Sequence, residues 1–121
     1  MKPCNSLLMQ KLRAQTIKNG GATINPMTCE APTSGYMVGG IKELQVPHNS
    51  VDPFQDCFDE VLDMLFEAYK IGACVGTWVY EGTLYVDISR NIQDLEEAEK
   101  IGRVCGELAI YDVNTGRSLP L

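Results

Sequence analysis

Residues 74–88 constrain the fold more than any other stretch of the chain. Cys74-Val75-Gly76-Thr77-Trp78-Val79-Tyr80 and Thr83-Leu84-Tyr85-Val86-Asp87-Ile88 read as two strands separated only by Glu81-Gly82. A two-residue turn ending in glycine suits the right-handed twist of paired strands and tolerates the positive φ such turns demand. The turn sets a register. Val79 faces Leu84, Thr77 faces Val86 and Val75 faces Ile88 on one side; Trp78 faces Tyr85 and Gly76 faces Asp87 on the other, with Tyr80 beside the turn. Because side chains alternate along a strand, the first set belongs to the core and the second to the opposite sheet face.

The rest of the chain divides into segments that can cover such a sheet. Residues 5–18 read as a short helix, capped by Asn5 or Ser6, with Leu7, Leu8, Leu12 and Ile17 apolar and Asn19-Gly20-Gly21 as its stop. Thr23-Ile24 and Tyr36-Met37-Val38 read as a hairpin around a long loop that holds Pro26 and Pro32, and 41–46 as a weaker strand that Pro47 ends. A second helix opens with Asp52 as N-cap, Pro53 and Gln55 in the first turn, and closes at Gly72. Phe54, Cys57, Phe58, Val61, Leu62, Leu65, Ala68 and Tyr69 form its apolar face. Asn91 is read as the cap of a third helix with Ile92, Leu95, Ala98, Ile101 and Cys105 on its apolar side and Gly106 at its end. Gly102 inside it costs about 1 kcal/mol against Ala, which implies close approach to a strand. Leu108 to Val113 is a last strand, and Asn114-Thr115-Gly116 turns the chain into a tail. The expected fold is α+β: an antiparallel sheet of four to six strands, two helices packed on one face and a peripheral N-terminal helix. Residues 1–19 form a basic helix or arm, and 20–121 a single α+β domain.

Charge is unevenly spread. Lys2, Lys11, Arg13 and Lys18 precede the first acid, Glu30; from Glu30 onward six basic residues face sixteen acidic ones, a net of −10 within a total of −6. That body is unsuited to direct nucleic-acid binding, and a basic partner, or the chain's own basic arm within the chain or across a homodimer, is its complement. No apolar run is long enough to span a membrane. Five cysteines without a C-x-x-C pair suggest a reduced, cytoplasmic protein, with Cys57 and Cys105 as small buried residues. His48 is the sole histidine, so neither a zinc set nor a catalytic base of the usual kind is expected. Gly20-Gly21 and Gly39-Gly40 open no helix and match no phosphate loop, and no cofactor motif is present. Asp87, Glu107 and Asp112 form a paired-carboxylate candidate that spacing alone does not support.

Two surfaces stand out. Asp56, Asp59, Glu60, Asp63 and Glu67 share one side of the second helix, where like charges repel by a few tenths of a kcal/mol per pair. Such a stripe reads either as a solvated face or as a surface for a basic partner. Trp78, Tyr80 and Tyr85 share the non-core side of the hairpin, either as a stabilising cross-strand cluster or as interface anchors.

Two segments carry a resemblance. Gly20-Gly21-Ala22-Thr23-Ile24-Asn25-Pro26 running on to Ser34-Gly35-Tyr36-Met37-Val38 is one. The other is Gly76-Thr77-Trp78-Val79 with Leu84-Tyr85-Val86-Asp87, then Leu108-Ala109-Ile110-Tyr111-Asp112 with Asn114-Thr115-Gly116. Together they resemble small accessory proteins carried by bacterial phages and other mobile elements. The similarity covers most of the chain beyond the first helix, in fold-level patterns that bring no active site with them. It implies the genomic context of a mobile element, in which small acidic accessory proteins often bind host or defence proteins. With acid–base and metal residues missing, the expected function is a non-enzymatic binding protein, with inhibition of a host defence protein of anti-CRISPR or anti-restriction type as one form of that role. The stripe, the aromatic face or both would contact a host or defence protein with a basic surface. The alternative is a small-molecule-binding protein, such as one that sequesters a nucleotide-like signal, with the Gly/Pro-rich loop and the aromatics as its pocket, near Trp78 and Tyr85.

Overall fold

The structure, a computed structural model, describes residues 5–47 and 52–121. Lys2, Cys4 and His48 lie outside the described residues, as do the side chains of Asn5 and Ser6 and with them the expected first-helix cap. In chain order the elements are α1 (Asn5–Asn19), β1 (Gly21–Ile24), β2 (Tyr36–Pro47), α2 (Phe58–Ile71), β3 (Cys74–Tyr80), β4 (Thr83–Ile92), α3 (Leu95–Val104), β5 (Ala109–Asp112) and β6 (Arg117–Pro120). The strands form one antiparallel sheet in the order β1-β3-β4-β2-β5-β6, curled into a half-barrel, so the fold is α+β with three helices and six strands.

The β3–β4 hairpin has the register its turn dictates, with Val79 opposite Leu84, Trp78 opposite Tyr85 and Gly76 opposite Asp87. Glu81 and Gly82 both take positive φ, 47° and 73°, as a two-residue turn of this hand requires. β1 does not pair with β2. It pairs with β3, Gly21 opposite Trp78 and Ile24 opposite Val75, while β2 pairs with the far side of β4. The reason is local: Asn25 N–H donates to the Glu30 carbonyl at 2.8 Å, which closes the loop on itself before the chain crosses to the other half of the sheet. β2 is also one continuous strand with a register shift between Val38 and Lys42, where Gly40 has φ 93°. A bulge of this kind bends a strand and adds twist, and here it separates the first residues of β2, which pair with β5, from the rest of the strand.

One parity of the sheet is apolar. Ile24, Val75, Leu84, Val86 and Ile88 are buried together with Phe54, Cys57, Val61, Met64, Leu65 and Ala68 from α2 and the turns before it. α1, expected at the periphery, sends Leu8, Met9 and Leu12 into the same core and leaves Leu7 and Ile17 exposed. Its end is clasped to β3: Ala22 N–H donates to Thr77 Oγ1 at 3.1 Å, Thr77 and Thr16 hydroxyls meet at 2.6 Å, and Thr16 Oγ1 donates to the Leu12 carbonyl at 2.6 Å. Each buried hydroxyl in that relay is satisfied. α3 packs Ala98 against Val38 and Ile110 in a second, smaller core. Gly102 makes the expected close approach, since a Cβ there would lie 2.6 Å from Leu121 Cδ1 and 3.1 Å from Ile110 Cγ2.

Three helix-end readings change. The 52–57 segment forms turns in which Asp52 Oδ1 accepts from Phe54 N–H at 3.0 Å, so the α-helix starts at Phe58 and not beside Asp52. Asn91 lies in β4, and Asp94 caps α3 by accepting from Glu97 N–H at 2.9 Å. Cys105 is an exposed C-cap and not a core residue. Gly72 ends α2 in the left-handed conformation, as read from sequence.

Candidate functional site

The residues alternating with the core set build the site. Gly76, Trp78, Tyr85, Asp87, Met37 and Tyr111 belong to neither core. They line two adjoining hollows of about 500 and about 320 Å³ that share Thr23, Gly76, Thr77, Trp78, Asp87 and Glu107. The curl of the sheet makes this face concave, and small side chains keep it open.

Asp87 sits at the floor. On β4 it lies between Gly76 of β3 and Glu43 of β2. A Cβ on Gly76 would stand 2.7 Å from Asp87 Oδ1, and one on Gly39 would stand 2.6 Å from Glu107 Oε1 and 3.5 Å from Asp87 Oδ2. The two glycines therefore clear the space that two carboxylates occupy. Glu107 arrives from the turn after α3, where its N–H donates to the Gly102 carbonyl at 2.9 Å. That turn rests on the β2 bulge: a Cβ on Gly40 would lie 3.1 Å from Cys105 Cβ. Burial, then the Glu43 and Glu107 carboxylates, pushes the Asp87 carboxyl up to about 6, with its own backbone N–H pulling the other way. Among the described residues no Lys, Arg or His lines the larger hollow. Lys42 borders the smaller one, but its Nζ is held 3.0 Å from Glu67 Oε1 on α2.

Trp78 is the wall of both hollows and is 58% exposed. Its indole lies over Gly21, where a Cβ would come within 3.1 Å of Cε3. Tyr85 borders the smaller hollow and Tyr111 the larger, while Tyr80, 48% exposed, lies beyond both linings.

The acidic stripe is elsewhere. Asp59, Glu60, Asp63 and Glu67 are exposed on α2, which packs on the core side of the sheet, and Asp56 is exposed in the preceding turns. The basic helix does not cover them among the described residues: Arg13 pairs with Asp52 at 2.8 Å, and Lys11 Nζ donates to the Cys29 carbonyl at 2.6 Å. Stripe and aromatic face approach each other at β2. There Glu43 borders the smaller hollow and also a third one that Glu60 and Asp63 line.

Of the carboxylates considered together from sequence, Asp87 and Glu107 meet, whereas Asp112 accepts from Asn114 N–H at 3.0 Å in a turn outside both hollows. Glu43, Gly39 and Gly76 were not singled out as site residues. The hairpin register itself contained the signal for Gly76, a glycine placed opposite an aspartate on the non-core face. Among the described residues no three His, Cys, Asp or Glu side chains are placed to hold a metal ion, and no helix is long and apolar enough to cross a membrane.

Compared with protein-family models, curated proteins and solved structures, the chain matches none, so the roles of these residues are argued from their geometry.

Proposed function

We propose that this chain is a small-molecule-binding protein whose site is the concave sheet face. One observation carries the reading: a hollow of about 500 Å³ walled by Trp78 and floored by Asp87, in which two glycines make room for carboxylates and, among the described residues, no basic side chain joins the lining. A sheet built for stability alone would fill that volume with side chains and would not gather like charges. α2 packs its apolar side chains against the other parity of the sheet. Binding is non-enzymatic in this reading. The lining favours a ligand without phosphate, since Asp87, Glu43 and Glu107 would repel the nucleotide-like signal expected from sequence. Trp78 is the sole tryptophan, so a broad ligand screen read by its fluorescence and by melting temperature tests the proposal directly. A ligand at a hundred times its dissociation constant adds about 2.7 kcal/mol of stability. A screen of cationic, neutral and anionic compounds that moves neither signal would sink it.

A second reading keeps a protein partner with a basic surface, such as a host or defence protein met by a mobile element's accessory protein. It is favoured by Asp56, Asp59, Glu60 and Asp63, which are exposed and make no ion pair among the described residues. Asp59→Lys with Asp63→Lys would then slow association with that partner and flatten its salt dependence. Glu67 is a poorer probe, because reversing it also breaks the pair with Lys42.

A further inference from the structure

We infer that the concave face binds a primary amine with an apolar body, its ammonium group held by Ser89, Thr23 and Asp87 and its body laid against Trp78. The inference rests on the small-molecule reading above and names the ligand class. It starts from a hydroxyl. Ser89 is 5% exposed and lines the larger hollow. It follows the core residue Ile88 on β4, so it shares the open parity of the sheet with Asp87. Among the described residues its side chain makes no hydrogen bond. A buried hydroxyl without a partner loses its hydration and gains nothing in return, and a polar ligand in the hollow would satisfy it.

The space over Gly76 says what that ligand carries. A Cβ there would stand 2.7 Å from Asp87 Oδ1 and 3.7 Å from Thr23 Oγ1. The register sets Thr23, Gly76 and Asp87 side by side on β1, β3 and β4. The missing side chain therefore leaves a gap between a hydroxyl and a carboxylate. Thr23 borders both hollows and, like Ser89, makes no side-chain hydrogen bond among the described residues. Ser89 lies two residues beyond Asp87 on the same face, about 7 Å along the strand. The gap thus offers two hydroxyl acceptors and a charged one. A primary ammonium group has three donors, a positive charge and no acceptor to leave unmet. An anion would meet Asp87 with no basic side chain beside it in the larger hollow, among the described residues. A neutral ligand would leave the carboxylate desolvated and without a counter-charge. The exposed Trp78 indole, with Met37 and Ile110 in the same lining, supplies the surface for an apolar body and a cation beside it.

Phenethylamine is the probe, titrated into the whole protein at about 0.15 M salt, where the Debye length is about 8 Å and loose attraction to an acidic surface is screened. Trp78 fluorescence should change saturably and the melting temperature should rise. Phenylethyl alcohol, the same body without the ammonium group, should bind at least about tenfold more weakly. Ser89→Ala should weaken phenethylamine binding by about tenfold, the loss of one hydrogen bond to a charged group. The free Ser89→Ala protein should melt no lower than the wild type, because its hydroxyl has no partner to lose. Thr23→Val, a second variant of similar shape, should weaken binding to a similar degree. Asp87→Asn should weaken it at least as much as either. Glu96→Gln, on the exposed first turn of α3, should leave it unchanged. Affinity that survives either hydroxyl substitution overturns the inference and reduces the effect to surface charge. A free Ser89→Ala protein that melts clearly lower also overturns it, because the hydroxyl would then be engaged within the fold. Phenylethyl alcohol binding as tightly as the amine, or another compound of the screen binding where the amine does not, overturns it while leaving the small-molecule reading intact. A screen in which nothing binds removes both.

Discussion

The two faces of this sheet come from the same strands, one residue out of step, and they behave as different materials. On β3 and β4 the residues Val75, Leu84, Val86 and Ile88 are fully buried under α1 and α2. Their immediate neighbours Gly76, Tyr85 and Asp87 line an open hollow. Burying a Val, Leu or Ile side chain stabilises the fold by roughly 1.5–3 kcal/mol, so the first face holds the domain together. The second does the reverse: it desolvates an aspartate beside two further carboxylates and leaves volume unfilled. A departure from local stability at one face of an otherwise consistent sheet is where function is expected to reside.

The contrast can be broken most easily on the core side. Leu8→Ala in α1 should cost about 2–5 kcal/mol in urea unfolding, as should Leu84→Ala in β4, because both side chains are fully buried in one core. If α1 were merely a docked arm, Leu8→Ala would leave the unfolding midpoint where it was. Gly82→Val should cost about 1 kcal/mol or more, since φ there is 73° and a β-branched residue is strained at positive φ. An unchanged melting temperature would show that the turn is not stabilising the hairpin. The smallest expected effect lies on the open face. Trp78→Ala should change stability by under about 1 kcal/mol, the scale of a cross-strand pair with Tyr85, while abolishing the ligand-induced rise in melting temperature. A loss of several kcal/mol would make Trp78 a structural residue and remove the wall from the site.

How much of this was legible in the sequence follows the same division. The β3–β4 register, the left-handed end of α2 at Gly72 and the strand approach at Gly102 could all be read, because each is decided within a few residues. What escaped depends on contacts distant in sequence. The partner of β1 is decided by the loop that folds back at Asn25 and Glu30. The buried side of α1 comprises Leu8, Met9, Leu12 and Thr16, a set that apolar spacing with Leu7 and Ile17 obscures. Start signals misled where a polar residue made a turn instead of a cap, as at Asp52. The site itself was half visible. Gly76 opposite Asp87 lay in the hairpin, but Glu107 joins them only because the Gly39-Gly40 bulge lets the turn after α3 close over the sheet.

The measurement that tests the central claim most directly is unfolding free energy against pH for the wild type and for Asp87→Asn. Burial raises the Asp87 carboxyl to about 6, so the folded state favours its neutral form. The stability associated with that form is therefore fully present below about pH 4, the ordinary carboxylate range, and is lost as pH rises through about 6. An asparagine carries no charge to desolvate. The variant should match the wild type near pH 4, gain on it between about pH 4 and 6, and exceed it by up to about 3 kcal/mol on the plateau above. It should do so while losing the ligand response. A variant as stable as the wild type or less stable, by the same margin at every pH, would contradict the account, because Asp87 would then be an ordinary solvated or structural residue.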